Sequence, residues 1–423
     1  MKLLYLVIDG AADSLNDKVT SYEAANTPGL DKIASLSLCG LMYTISRGVA
    51  PESDAAVLSI LSYDPHKYYT GRGPLEALGA GIRIKEGYEV AFRANFATLD
   101  ISTGNIVDRR VGRNLKSDEA RELAKALNDM DLGKYEGYAK VVATIGHRAV
   151  VVIGSSSLKL SDNVDNTDPA YTRKGKISVA RPGFEPRLVK CRPLDDTEEA
   201  KRTAELVNIF TEKAIKILDT HPVNLKRASK GYLKANTILL RDAGGELPHV
   251  EPISRKFGIE FGAIVEMPVE IGIARLLGME IEKVPPPTPD KRSDYTIRLK
   301  HTLDLLKRVD AVYVHLKGPD EPGHDGDFKG KVKSLEDIDE YFVTPLLNEV
   351  DLNNTAILVT SDHATPYSAR THTDDPVPVL LYVPGRNGDG ISKLSESNCS
   401  KGSLGIIEHG WELLPKVINL LKK

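Results

Sequence analysis

The chain has few cysteines: Cys39, Cys191 and Cys399 are the only three in 423 residues. An odd, scattered set supports neither a disulfide framework nor a thiolate zinc motif, and it fits a reducing intracellular setting. Long apolar runs are also missing. None approaches the roughly 18 residues that a membrane-spanning helix requires. The run Leu3 to Ile8 is broken by Asp9 and is too short for a signal-peptide core, so the cytoplasm is the expected location. Neither charge sign is in excess. A net charge of −3 gives no electrostatic case for nucleic acid or an anionic membrane as partner, although basic residues can still gather around a phosphate. The composition, 41% hydrophobic and 27% charged, is that of a soluble globular protein, and the length exceeds one ordinary core, so two domains are expected.

What the chain does have is a set of oxygen and nitrogen ligand types at predicted strand ends. Near the C-terminus, Asn354 to Thr360 forms an apolar, β-branched run followed by Ser361-Asp362-His363, with His372-Thr373 nine residues further on. Carboxylate and imidazole are donors that zinc or manganese accepts. Three more groups resemble this one in placement. Lys2 to Ile8 ends in Asp9-Gly10; Glu52-Ser53-Asp54 leads into the helical pattern Ala55 to Leu61; Ala311 to Leu316 is followed by Lys317-Gly318-Pro319-Asp320-Glu321-Pro322-Gly323-His324. In open parallel sheets, chemistry collects outside the carboxyl ends of the strands, so four such groups can converge.

Along the chain, helical periodicity is expected from about Pro28 to Ser37, Asp118 to Leu127, Thr197 to Leu218, Val269 to Leu277, Thr296 to Arg308, Leu335 to Val350 and Trp411 to Leu421. The Gly-rich stretch from Thr70 to Gly81 fits neither phosphate-loop spacing, and a turn or close-packing role is expected. Residues 87–246 contain none of the four groups. They read as a domain inserted between residues 1–86 and 247–423, whose alternating strands and helices predict a mostly parallel α/β sheet with helices on both faces.

Together these motifs resemble the alkaline phosphatase superfamily and, within it, the archaeal-type cofactor-independent phosphoglycerate mutases, over nearly the whole chain. The resemblance implies a metal-binding phosphatase-like domain holding an inserted α/β phosphotransferase domain, with the active site in the cleft between them. It places Asp9, Ser53, Asp362 and His363 around one divalent ion and Asp320, His324 and His372 around a second. Manganese is the expected metal, with zinc or cobalt as alternatives, and bisphosphoglycerate is not required. Ser53 becomes the nucleophile that carries the phosphoryl group while the glycerate reorients.

The inserted domain is then expected to present cations to a carboxylate and a phosphate, since guanidinium pairs its planar donors with both. Candidates are Arg109, Arg110, Arg113, His147, Arg148 and Arg241, of which Arg241 most resembles the family's arginine; Asp162 is a candidate acid or base toward the glycerate hydroxyls.

Each residue taken alone has a plainer reading. Asp9 can be a turn residue, Ser53 a helix cap, Asp320 to His324 a solvated turn, Asp362 and His363 a structural pair, and Arg109 to Arg113 a solvated face. His66, His221, His249, His301, His315 and His409 read as core or surface histidines without convergent partners. The leading expectation is interconversion of 3- and 2-phosphoglycerate. The alternatives are a related metal-dependent phosphatase or phosphodiesterase, a mutase of another phosphorylated small molecule, and a catalytically silent metal-binding protein.

Overall fold

The computed structural model describes residues 1–181 and 183–422. It forms two compact units. Residues 1–69, 250–267 and 273 onward make the first, and residues 70–249 with 268–272 make the second. In chain order the strands are β1 (Lys2–Ile8), β2 (Leu38–Met42), β3 (Glu89–Asp100), β4 (Asn105–Asp108), β5 (Met130–Asp131), β6 (Gly137–Ala143), β7 (Arg148–Ser155), β8 (Tyr171–Lys174), β9 (Ile177–Ala180), β10 (Thr237–Gly244), β11 (Phe261–Val265), β12 (Glu280–Lys283), β13 (Ala311–Leu316), β14 (Thr355–Thr360), β15 (Val377–Tyr382) and β16 (Gly405–Ile407).

The first unit is built on an eight-stranded sheet ordered β12-β11-β13-β1-β14-β15-β2-β16. Pairing is parallel from β12 through β14 and antiparallel on both sides of β15. The central strands are buried almost throughout, as the near-continuous apolar runs require of a sheet covered on both faces. Side chains alternate between the faces with a period of two. Leu4, Leu6 and Ile8 of β1, Val312, Val314 and Leu316 of β13, and Ile357 and Val359 of β14 enter one core with Ile33, Leu335 and Phe342. Tyr5, Tyr313, His315 and Thr360 take the other face, where Tyr5 and Tyr313 meet edge to face at 5.4 Å. Asp9 and Asp362 come two residues after Val7 and Thr360 and continue that second face past the strand ends.

Two strand-end loops are fixed by a buried cation. Lys331, on the helix Phe328–Ile338, donates to Ala12 O at 3.0 Å, Thr365 O at 2.8 Å and Asp13 Oδ1 at 2.6 Å. Its charge is matched by Asp13, and its remaining protons satisfy two carbonyls, which is the condition for tolerating a buried charge.

The second unit carries a six-stranded sheet, β10-β3-β7-β6-β5 with β4 beside β3, in which every pairing is antiparallel. Phe92, Phe96, Val151, Ile153, Ile238 and Leu240 face a core closed by the helices Ser117–Leu127 and Glu198–Asp219. Of the two roles expected for the Gly-rich stretch, a turn or close packing, the second holds, within a helix: residues Arg72–Gly79 are helical. Close packing is what its glycines provide. A Cβ on Gly73 would lie 2.2 Å from Ala91 O, so only glycine lets this helix settle on β3. That contact places residues 70–86 in the second unit rather than in the first, where the sequence put them. Most long helices lie within two residues of their expected spans, but the one expected from Thr296 begins at Lys291, and the one expected from Leu335 begins at Phe328 and passes through a π-helical turn, Asp339–Val343, before Thr344–Glu349.

Candidate active site

The carboxyl ends of β13, β1 and β14 bring together side chains that lie more than 350 residues apart. Gly10, just after β1, turns with φ +59°, and a Cβ there would sit 2.6 Å from Asp320 Oδ1, so the turn requires glycine both for its dihedral and for the approach. Asp362 directs one carboxylate oxygen to the backbone: Oδ1 accepts from Gly10 N at 3.0 Å and from His363 N at 3.1 Å. Asp9 Oδ2 receives Lys317 Nζ at 2.8 Å. The second oxygens of both residues, Asp9 Oδ1 and Asp362 Oδ2, are buried and have no hydrogen-bond partner among the described residues. His363 Nε2 faces them at 3.5 and 3.3 Å.

A second convergence centres on Asp320, at the start of the helix Asp320–Asp325. Its Oδ1 lies 3.5 Å from His324 Nε2 and 3.4 Å from His372 Nε2. The imidazoles are oriented from behind, His324 Nδ1 by Arg370 O at 3.2 Å and His372 Nδ1 by Pro51 O at 2.8 Å. A carbonyl only accepts, so both Nδ1 atoms carry a hydrogen, and Nε2 is the nitrogen that each ring, once neutral, can offer to a metal. His363 follows the same logic. Thr365 donates its hydroxyl hydrogen to Asp320 Oδ1 at 2.8 Å and therefore accepts from His363 Nδ1 at 3.0 Å, which leaves His363 Nε2 bare. The His363 and His372 rings stack with centroids 3.8 Å apart.

Charge on these groups is strongly perturbed. Burial pushes the Asp9 carboxyl up to about 7 against the pull of Lys317. Burial likewise pushes His363 down to about 4, against the attraction of Asp362. For His372, burial is outweighed by Asp320, and its value rises to about 9. Asp320 and Asp362 fall below the ordinary carboxylate range because the histidines facing them overcome the effect of burial.

Buried polar atoms left without a partner cost roughly 1–3 kcal/mol each, and here they point at one another. The donor set is one that a divalent cation satisfies: acceptor-only oxygens and bare imidazole nitrogens, with outer contacts that fix each tautomer. Donor atoms of Asp320, His363 and His372 lie within 4.8 Å of one another, and so do those of Asp9, His315 and Asp362. His315, read from sequence as a histidine without convergent partners, is therefore a correction. Its neighbours come from two other strands, and strand register is not visible in a single sequence.

Ser53 opens the helix Ser53–Ile60 and is its first helical residue, not its cap; Glu52 takes the cap position without a side-chain bond. The Ser53 hydroxyl instead lies 3.2 Å from His363 Nε2.

The second unit gathers cations on the sheet face opposite its core. Arg241 of β10 pairs directly with Arg93 of β3, and Arg148 of β7 stands opposite Asn95, two residues along β3. Like charges opposed across strands are destabilising unless something compensates. Glu76 partly does so, 2.7 Å from Arg72 and 3.5 Å from Arg93. Burial and mutual repulsion still lower Arg110 and Arg148, take Arg93 down to about 9 and, helped by Arg148, take His147 down to about 4. Arg241 is 7% exposed and lies with its guanidinium 3.9 Å over the Tyr171 ring. Arg109 is held by Asp168 through two bonds of 2.9 and 2.5 Å. Arg113 lies in a short 3-10 turn. Asp162 accepts from Gly245 N at 3.0 Å and Lys176 Nζ at 2.7 Å. Arg93 and Tyr171 belong to this cluster and were not anticipated; Arg93 sits in an apolar strand, where alternation alone marks it as facing away from the core.

Fold and donor set together define an α/β protein with a candidate divalent-metal site at the carboxyl ends of its central parallel strands. Comparison with known proteins narrows the class. Residues 34–224 match the family model described as 2,3-bisphosphoglycerate-independent phosphoglycerate mutase. The chain is 49% identical to the Aeropyrum pernix protein of that name, over 100% of both chains. It is 40% identical to one from Archaeoglobus fulgidus, over 100% of this chain and 98% of that one. Among solved structures, the cofactor-independent phosphoglycerate mutase of Thermoplasma acidophilum superposes with a TM-score of 0.63 at 32% identity, covering 100% of both chains. A Pyrococcus horikoshii protein gives 0.77 at 27% identity, over 100% of this chain and 97% of that one. The chain belongs to the 2,3-bisphosphoglycerate-independent phosphoglycerate mutase family. It is thus an isomerase of the intramolecular phosphotransferase kind.

Proposed function

We propose that this protein interconverts 3-phosphoglycerate and 2-phosphoglycerate without bisphosphoglycerate, passing the phosphoryl group through Ser53 beside two divalent ions, in the cytoplasm and in the service of glycolysis and gluconeogenesis. The observation that carries the reading is the position of the Ser53 hydroxyl. It is free of capping and 3.2 Å from His363 Nε2, the nitrogen that faces buried carboxylate oxygens of Asp9 and Asp362 lacking hydrogen-bond partners among the described residues.

Asp9, Asp362, His363 and Ser53 are the residues to hold one ion, and Asp320, His324 and His372 the other. When bound, the two ions stabilise charge on the attacking and leaving oxygens of an in-line displacement. The chain supplies the rest. Its helix N-terminus favours negative charge developing on Ser53 Oγ. The bond from phosphorus to the glycerate oxygen breaks as the bond to Oγ forms, and the phosphoryl group then returns to the other glycerate hydroxyl. In the second unit, Arg241, with Arg110, Arg113, His147 and Arg148, supplies cations for the substrate's carboxylate and phosphate, while Arg109 is braced by Asp168. Asp162, whose Oδ2 is held by Gly245 N and Lys176 Nζ, orients the glycerate hydroxyls. Manganese suits an all-oxygen and nitrogen donor set without thiolate.

The test is an enolase-coupled assay with 3-phosphoglycerate and manganese, free of bisphosphoglycerate, beside a phosphate-release assay. Isomerisation without phosphate release supports the reading. Phosphate release without isomerisation returns the protein to the phosphatase class.

A further inference from the structure

His315 lies at the end of β13, and its side chain is fully buried on the sheet face that Asp9 and Asp362 continue. Its Nε2 is 3.5 Å from Asp362 Oδ2 and 3.9 Å from Asp9 Oδ1, the same two buried oxygens that His363 Nε2 faces. These separations exceed the 2.7–3.2 Å of an N–H···O hydrogen bond. They approach the spacing of neighbouring donors on one ion, since bonds of about 2.1 Å put adjacent ligands roughly 3 to 3.5 Å apart.

The ring is also held as a ligand ring is held. His315 Nδ1 lies 3.2 Å from the Tyr313 hydroxyl, matching the way Thr365, Pro51 O and Arg370 O hold the Nδ1 atoms of His363, His372 and His324. In all four residues Nε2 is the nitrogen turned toward the carboxylates. Tyr313 is in turn packed against Tyr5, so the ring has little freedom to turn away.

We propose that His315 is an additional imidazole ligand of the ion held by Asp9, Asp362 and His363, giving that ion two nitrogen donors. The proposal rests on the two-ion reading of the site. It also accounts for a histidine inside an otherwise apolar strand, where a hydrophobic residue would pack at lower cost.

The test uses the full-length chain, stripped with a chelator and reloaded with manganese alone. In a His372→Ala variant the Asp320 position should empty, leaving one ion per chain, and pulsed EPR of that ion should show two coordinated histidine nitrogens. His372→Ala/His315→Phe, which keeps the ring volume, should show one nitrogen and bind manganese about 10- to 100-fold more weakly. His315→Gln in the same background should also show one. A single nitrogen in His372→Ala itself overturns the proposal without any change at His315, and so does weakened binding with an unchanged nitrogen count, the mark of a residue that only orients Asp362. If His372→Ala binds no manganese, the two-ion reading fails and takes this proposal with it, an outcome distinct from the other two.

Discussion

Ser53 Oγ and His363 Nε2 lie 3.2 Å apart although the residues are 310 positions apart in the chain. The contact joins the first residue of a helix to the loop after a parallel strand, and the proposed phosphoryl transfer through Ser53 rests on it. Ser53→Ala removes one oxygen and no packing of consequence. It should reduce isomerisation to background while the chain still takes up two manganese ions, measured by elemental analysis of the dialysed protein. Substantial residual turnover would remove Ser53 from the reaction.

The two ions should separate by mutation. His372→Ala deletes a donor from the Asp320 group, and Asp362→Asn weakens the Asp9 group. Each should lower manganese content from two per chain toward one. Because His372 is raised to about 9 by Asp320, it binds a proton below that value, which manganese must displace; metal uptake at this position should therefore weaken as pH falls from 9 to 6. Calorimetry in buffers of different ionisation enthalpy would detect the released proton.

Arg241 is buried, stacked on Tyr171 and opposite Arg93, and its carboxylate contact among the described residues is Asp242 at 3.8 Å. A bond from a charged group to a substrate anion contributes about 1.5–3 kcal/mol. Arg241→Ala should then lower kcat/KM about 10- to 100-fold, with metal content intact. Arg241→Lys should rescue little, because an ammonium lacks the planar fork. Equal activity in the alanine variant would place substrate recognition elsewhere.

Glu396 offers a stability test away from the chemistry. It is fully buried, accepts from Asp13 N at 2.9 Å, and is pushed by burial from 4.5 up to about 7. The folded state therefore holds a proton that the unfolded state has lost, and stability is highest below pH 4.5 with respect to this group, falling as pH rises to about 7. Glu396→Gln keeps the neutral form at all pH values. It should stabilise the protein by about 1–3 kcal/mol at pH 8 and by much less at pH 5, read from chemical denaturation. Destabilisation at pH 8 would show that the carboxylate is held ionised.

Much of this fold was legible because its strands are long apolar runs and its helices strongly periodic; the helix Ser117–Leu127 differs by one residue from the expected span. The converging groups Asp9, Asp320, Asp362 and His363 were legible because each follows the end of a strand. Residues whose meaning depends on register were not. His315 inside Ala-Val-Tyr-Val-His-Leu looks like an isolated core histidine until β1 is placed beside it and β14 beyond that, and Arg93 looks isolated until β10 brings Arg241 opposite. The close packing of the Gly-rich segment was foreseen but its helix was not: glycine usually breaks helices, yet Gly73 sits in one because the backbone of β3 leaves no room for a side chain. Lys331 gave no local sign that it is buried beneath two loops.

The central claim is that Ser53 takes the phosphoryl group and returns it to the same glycerate. A crossover experiment tests it most directly: 3-phosphoglycerate labelled with 18O in the phosphoryl group and 13C in the glycerate is mixed with unlabelled substrate, and the 2-phosphoglycerate formed is weighed by mass spectrometry. The account predicts doubly labelled and unlabelled product with no singly labelled species beyond background. Singly labelled 2-phosphoglycerate, formed by exchange of phosphoryl groups between glycerates, would contradict it.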